Sequence, residues 1–295
     1  MAEPKLRLND LRRGIDEIDT SIHDLLIRRS ALVEEIAEAK GDDGDILRPG
    51  REAQIIRRLL ARHKGRFPEA AVARIWREII SASIALQGPF TVALRDSDID
   101  GPIGQLARAH FGAVAPILGQ RSEGAVVQMV MEGRATVALL PLPGAGEGEP
   151  WWRFLAHPGE TTPRIIARLP FVGLPSTPDH DALVIALADQ EESGEDHSLL
   201  LLETREAISR TALKKRLDQT GFKREAQGIW DNTSRQQLHL VEVDGWVAAG
   251  DPRLRRLGIS DDGLIKQLRV VGAFAAPLAI SPAQEQATGS REETA

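Results

Sequence analysis

The sequence predicts a multidomain protein: an all-α segment of three helices, then an α/β region ending in a βαββαβ ferredoxin-like unit. Three observations predict this. Apolar residues recur at steps of three and four as far as Gly88, the period of a helix face. From Phe90 that period gives way to short β-type runs alternating with helical ones. From His197 the runs fall in the order strand, helix, strand, strand, helix, strand. The expected units are 1–89, 90–196 and 197–280, and residues 281–295, rich in Gln, Glu, Ser and Thr, are expected to be disordered.

Leu8, Leu11, Ile15, Ile18, Ile22, Leu25, Leu32 and Ile36 make one apolar stripe, hence a single helix over roughly 6–40 closed by Asp42, Asp43 and Gly44. At 1.5 Å per residue it is about 50 Å long, more than so small a segment can cover. A helix from another copy is the expected cover, although a coiled-coil arm explains the stripe alone equally well. Pro49, tolerated in a first turn, opens a second helix (49–64) with Ile55, Ile56, Leu59 and Leu60 on one face. A third runs from Pro68 to Gln87 with Ile75, Trp76, Ile79, Ile80 and Ile84, and Gly88–Pro89 closes it. Strands are expected at 90–94, 135–140 and 182–187, a helix at 122–133 and a loop at 141–150. The last unit has expected helices at about 206–220 and 252–267.

Composition narrows the functional classes. The 295 residues include no cysteine, which excludes disulfides and zinc–thiolate sites and suits a reducing cytoplasm. No apolar leader or long apolar run is present, so neither a signal peptide nor a membrane span is expected. The net charge of -6 argues against a general nucleic-acid binder. The seven histidines lack ligand spacing, so no metal or other cofactor is expected. Residues 1–88 carry 16 Lys+Arg against 15 Asp+Glu, so an anion site there must come from placement rather than bulk charge.

Six polar residues stand out on the helical stripes: Arg12, Arg29, Lys40, Glu52, Ser83 and Gln87. Arg29 and Lys40, eleven positions apart, face within about 20° of each other and lie about 16 Å apart. Arg12 precedes Arg29 by seventeen residues, about 25 Å along the helix and about 100° round it. These three cations can share one small ligand only if Arg12 comes from a second, antiparallel chain. Ser83 and Gln87 are one turn apart among apolar neighbours, so their polar groups need partners. Glu52, taken alone, is an ordinary first-turn acid.

The stretches LRRGIDEID, LLIRRSALVEEIAEAK, ILRPGREAQII and IWREIISASIALQ closely resemble the all-helical chorismate mutases, which form intertwined three-helix dimers. The resemblance covers about residues 6–88 and puts all six residues on the family's substrate-binding positions. Arg51 also matches a family arginine, and Arg48 replaces an aspartate found in some members. The implied reaction, chorismate to prephenate, is a unimolecular [3,3] rearrangement without cofactor. The resemblance implies that Arg29 and a partner's Arg12 grip the two carboxylates, assisted by Ser83, while Glu52 accepts from the ring hydroxyl. Lys40 and Gln87 would donate to the ether oxygen as charge grows there.

Residues 90–280 resemble, more distantly, a prephenate dehydratase followed by an ACT regulatory domain, through GPIGQLARAHFG, EGAVVQMVMEGRATVALLPLPG, ALVIAL, HLVEVDGW and LRVVGAF. The departures fall on chemistry. His180, Asp181 and Ala182 stand where the dehydratase pattern has Thr-Arg-Phe, and the phenylalanine-seating motifs of the ACT unit are missing. The expectation is a mutase with a dead or repurposed C-terminal module. The alternatives are a bifunctional mutase–dehydratase and a non-catalytic sensing or partner-binding dimer. His157, His180 and His197 read as surface or loop histidines, Trp151–Trp152 as core, and Glu191, Glu192, Glu195 and Asp196 as a solvated loop.

Overall fold

The computed structural model describes residues 3–41, 46–113, 115–144, 150–173, 181–223, 226–231, 237–258 and 263–280. The turn expected at 42–44, His180 and the tail from 281 lie outside them. Three helices come first: α1 (Glu3–Lys40), α2 (Pro49–Arg62) and α3 (Glu69–Gln87). They are followed by β1 (Val92–Arg95), α4 (Pro102–Phe111), β2 (Ile117–Gln120), α5 (Glu123–Met131) and β3 (Val137–Pro141). A 3-10 turn (Trp151–Ala156) precedes β4 (Arg164–Leu169), β5 (Val172–Gly173) and β6 (Ala182–Ala186). The expected βαββαβ order follows as β7 (Asp196–Thr204), α6 (Arg210–Thr220), β8 (Ala226–Asp231), β9 (Gln237–Asp244), α7 (Pro252–Gly258) and β10 (Ile265–Ala275). A final β11 (Leu278–Ala279) pairs with β5. The last helix is shorter than expected: α7 ends at Gly258, and β10 already begins at Ile265.

One sheet runs through both C-terminal segments in the order β2-β1-β3-β6-β4-β10-β7-β9-β8. Its first part is joined to the βαββαβ part where β4 lies parallel to β10 at the pair Ile165–Gly272. Gly272 permits that approach, because a Cβ there would lie 2.4 Å from Ile165 Cβ and 2.6 Å from its carbonyl oxygen. β6 reads as an unbroken apolar run because both its faces are covered. Leu183 and Ile185 face a core shared with α5, Trp151 and Trp152, while Ala182, Val184 and Ala186 face the opposite one. The sequence reading missed β4: Arg164, Ala167 and Arg168 dilute its apolar alternation.

That opposite core is where the helical segment docks. Ala53 and Ile56 of α2 and Ala73, Ile80 and Ile84 of α3 pack with Val92, Leu94, Ile166 and Val184 of the sheet. Gly50 lets the start of α2 sit on the 190s loop, since a Cβ there would be 2.8 Å from the Glu191 carbonyl oxygen. Arg57 fastens the same helix, donating to Ser193 Oγ (2.8 Å) and to the carbonyls of Ser193 (3.3 Å), Glu195 (2.8 Å) and Ala276 (2.9 Å). The acidic loop is therefore not simply solvated. Asp196 is buried and accepts from the backbone N–H groups of Ser193 and Gly194, and Glu191 pairs with Arg48. Trp151 and Trp152 are buried as expected, the former donating from Nε1 to the Pro141 carbonyl at 3.0 Å.

Within this core Arg77 of α3 donates to Glu52 Oε2 at 2.8 Å, both side chains being buried, and lies 5.3 Å from the centroid of the Phe171 ring. Burial lowers the Arg77 pKa, and the Glu52 carboxylate opposes that shift.

Two stability measurements follow from this packing. Arg77→Met strands Glu52 in the core and is expected to cost about 3–5 kcal/mol, whereas Arg77→Met with Glu52→Leu recovers most of that loss. Urea midpoints of the two variants read the difference. Gly272→Ala, with no room beside Ile165, is expected to cost about 1–3 kcal/mol on the same scale.

Candidate active site

Helix α1 extends 38 residues and leaves its apolar stripe uncovered: Leu11, Ile15, Ile18, Ile22 and Leu25 are each exposed by half or more. Its C-terminal half packs on α3, and there the polar residues begin to converge. Arg29 Nη1 donates to Ser83 Oγ. The Ser83 hydroxyl donates in turn to the Ile79 carbonyl at 2.6 Å, and Gln87 Nε2 donates to the Ser83 carbonyl at 3.0 Å. Helical spacing brings Ser83 and Gln87 onto one side of α3, and α1 presents Arg29 to it.

Arg29 is half-buried, and burial lowers its pKa from the usual guanidinium value. Among the described residues it makes no ion pair. Desolvation disfavours the charged form of a cation, and an anion beside it restores that form. Lys40, half-buried at the last residue of α1, is three turns further along nearly the same face. Arg12 is exposed, far along α1 from this cluster.

The remaining expected site residues turn the other way. Arg48 Nε pairs with the Glu191 carboxylate, and the Arg51 backbone N–H donates to Glu191 Oε2 at 3.3 Å. Glu52 is held by Arg77, which leaves α3 about 120° round the helix from Ser83. The structure thus gathers Arg29, Ser83 and Gln87, and directs Arg48 and Glu52 to the α/β part.

Sequence reasoning passed over Arg77 and its neighbour His110. The signal was there: Ala73, Arg77, Ile80 and Ile84 share one helical face, so Arg77 sits on a buried stripe and needs a carboxylate. The His110 imidazole packs edge-on to Phe111, and burial, then the charge of Arg77, hold its pKa well below the ordinary range.

In the α/β part, Asp181 forms a buried network. Arg168 donates to Asp181 Oδ2 from Nε (3.1 Å) and Nη2 (2.8 Å), and from Nη1 to Glu242 Oε2 (3.4 Å). His197 Nδ1 lies 3.4 Å from Asp244 Oδ1 and 3.7 Å from Glu242 Oε1. His157 is exposed. Among the described residues no cluster of acids and histidines is arranged to hold a metal ion, and no helix is long and apolar enough to cross a membrane.

Comparison with known proteins places the helical segment. Residues 11–88 match the family model for chorismate mutase type II. A bifunctional chorismate mutase/prephenate dehydratase of Neisseria gonorrhoeae is 33% identical over 141 residues, covering 46% of this chain and 37% of that protein. An Aquifex aeolicus protein of the same description is 40% identical over 91 residues, covering 29% of this chain and 25% of the relative. The Neisseria alignment is longer than the three helices together, so it continues into the sheet region. The chain spans well under half the length of the curated relatives it matches. Among solved structures, a prephenate dehydratase from Streptococcus mutans superposes with a TM-score of 0.41 at 13% identity, over 65% of this chain and all of that one. The helices that carry Arg29, Ser83 and Gln87 therefore constitute a chorismate mutase type II domain, here joined to an α/β sheet region.

Proposed function

We propose that the protein converts chorismate to prephenate as a homodimer, and that its α/β part supports the helices without dehydratase chemistry. The observation that carries this reading is the half-buried Arg29 guanidinium, hydrogen-bonded to Ser83 and beside Gln87, with no carboxylate paired to it among the described residues. Such a cation favours a small organic acid.

A [3,3] rearrangement forms and breaks bonds within one molecule, so the protein's task is to hold the reactive conformer and stabilise the charge that separates. Arg29 binds one carboxylate, with Ser83 orienting the guanidinium, and Arg12 of the partner subunit binds the other by paired donors. Lys40 and the Gln87 amide donate to the ether oxygen, whose negative charge grows as the C–O bond lengthens. Glu52 and Arg48, paired with Arg77 and Glu191 and turned toward the α/β part, hold α2 in place rather than touching the substrate, and the Arg51 backbone joins them through Glu191.

The dimer rests on the stripe of α1. A row of isoleucines and leucines exposed by half over most of a 38-residue helix is far more apolar surface than a lone chain leaves in water. A second α1 laid antiparallel covers it and carries Arg12 toward the other chain's Arg29. On the other side of the protein, Asp181 and Glu242 gather round Arg168 at the place where a dehydratase would need a hydroxyl and a free arginine. A bifunctional reading is favoured by one observation, the extension of the Neisseria alignment past the helices. Product analysis separates the two.

Incubation with chorismate is expected to accumulate prephenate without phenylpyruvate, resolved by chromatography. Gln87→Ala is expected to lower kcat by about 10²–10³, the effect of removing one donor to a developing oxyanion. The wild-type rate should vary little between about pH 6 and 8, because an amide does not titrate, while Gln87→Glu should slow as pH rises, since only the protonated acid donates. No turnover, or phenylpyruvate as the product, defeats the proposal.

Sedimentation tests the dimer. Ile18→Glu with Ile22→Glu puts charges on the stripe and is expected to yield a monomer that loses turnover in step with the dimer. A monomeric wild-type protein that turns over chorismate fully would refute the shared pocket.

A further inference from the structure

Beyond residue 164 the sheet leaves β10 with an open edge. β4 is parallel to β10 and begins at Arg164, and their single pair is Ile165–Gly272. The first half of β10, from Ile265 to Val270, therefore runs past the start of β4 with no strand of the described residues beside it on that side. A cleft of about 710 Å³ occupies this place, between the segment before β4, β10 and α7. It lies on the βαββαβ side of the molecule, on elements that carry none of the mutase residues. Its volume is in the range of small-molecule sites, roughly 300–1,000 Å³.

Three arginines line it: Arg164, Arg255 and Arg269. Arg269 is half-buried and fixed in place, donating from Nη1 to the carbonyls of Leu155 (3.2 Å) and Ala156 (2.9 Å). Neither acceptor neutralises its charge. Burial lowers its pKa, and the nearby Arg164 guanidinium lowers it further, so two neighbouring cations line the cleft. The one carboxylate lining it is Asp189, itself mostly exposed and 3.7 Å from Arg164. Among the described lining residues the balance is thus two positive charges. Thr162 and Gln190 add neutral polar groups, and Trp246, Val247, Leu254 and Leu268 give the cleft an apolar side. Like-charged groups held close in a partly desolvated cleft are stabilised by an anion, and the apolar wall favours a ring over water.

We propose that this cleft binds a small ring-bearing organic dianion, its acid groups held by Arg164, Arg269 and Arg255 and its ring laid against Trp246. A bare inorganic anion would satisfy the arginines but leave the apolar wall wet. A monoacid would leave one of the neighbouring cations uncompensated. The assignment stands on this cleft alone and does not depend on the mutase reading.

Titration calorimetry on the full chain tests it, with 2-phenylsuccinate as ring-bearing dianion, benzoate as ring with one charge, and phosphate as charge without ring. The measurements use the Arg29→Ala protein, so that the helical pocket does not compete for the acid. Phenylsuccinate is expected to bind one to one, with benzoate and phosphate at least about tenfold weaker. Arg164→Gln and Arg255→Gln, both at exposed positions that the fold tolerates, are each expected to weaken it about tenfold, the loss of one charge-assisted contact. The proposal falls if phenylsuccinate does not bind, if both substitutions leave its affinity unchanged, or if phosphate binds as tightly. A mutase that fails in its own assay leaves this result untouched.

Discussion

The docking of α2 and α3 onto the sheet is the constraint on which the rest of the structure depends. A helix pair that buries Ala53, Ile56, Ile80 and Ile84 against β1, β4 and β6 has spent its main apolar face on the sheet. It then has little left for α1. That helix rests on α3 near its C-terminal half and projects the rest of its length with an uncovered stripe. The same docking fixes which polar groups look inward. Arg57 and Arg77 both lie against the Phe171 ring, at 5.6 Å and 5.3 Å from its centroid, and each donates to oxygen acceptors on the sheet side or on α2. They are structural cations. Arg29 and Lys40, on the projecting helix, are not part of this docking surface. The difference between fastening and binding arginines is set by which side of the helix layer each occupies.

This division couples the two parts of the chain. Glu52 belongs to α2, yet its partner Arg77 is buried against the sheet, and Arg48 at the start of α2 is held by Glu191 of the α/β part. A shift of the 190s loop would move α2 through Arg48, Gly50 and Arg57 together. Because a Cβ at Gly50 would already strike Glu191, the helix has no room to adjust independently. The two parts are thus held together by packed and hydrogen-bonded side chains.

How much of this was legible in the sequence depended on whether a signal was local. The three helices and the βαββαβ order rest on periodicity, turn residues and Pro49, all within reach of a short window, and they appear within a few residues of where they were expected. The exception is α7, described over Pro252–Gly258, because the expected apolar run from Ile265 belongs to β10. β4 was missed because arginines at 164 and 168 mask its alternation, and their use is only visible once Asp189, Asp181 and Glu242 are brought to them from distant positions. The acidic stretch 191–196 misled for the same reason. Glu191, Glu192, Glu195 and Asp196 read as solvated, but Arg48 claims the Glu191 carboxylate from 143 positions away, Arg57 takes the Glu195 carbonyl from 138 positions away, and the turn at Ser193 claims Asp196 locally. In the site, Ser83 and Gln87 could be paired by spacing alone. The partner of Glu52 could not, since a carboxylate in a first turn satisfies a helix N-terminus whether or not an arginine lies behind it.

The charge arrangement round Arg168 bears on why the α/β part need not share the chemistry of the longer relatives. An enzyme that binds a carboxylate substrate through an arginine needs that arginine's donors turned to the substrate. Arg168 instead gives two donors to Asp181 and a third to Glu242, and both acids are buried. A substrate carboxylate arriving there would have to displace one of these acids and then sit beside it at close range. Two like charges in a desolvated setting disfavour each other strongly, so the incoming acid would bind protonated or not at all. At the edge of β10, by contrast, Arg164 and Arg269 line a cleft whose single carboxylate, Asp189, is exposed. Charges are thus sealed in the core around Arg168, while at the sheet edge Arg164 and Arg255 stay exposed, so an acid meets less competition from carboxylates at the second place than at the first.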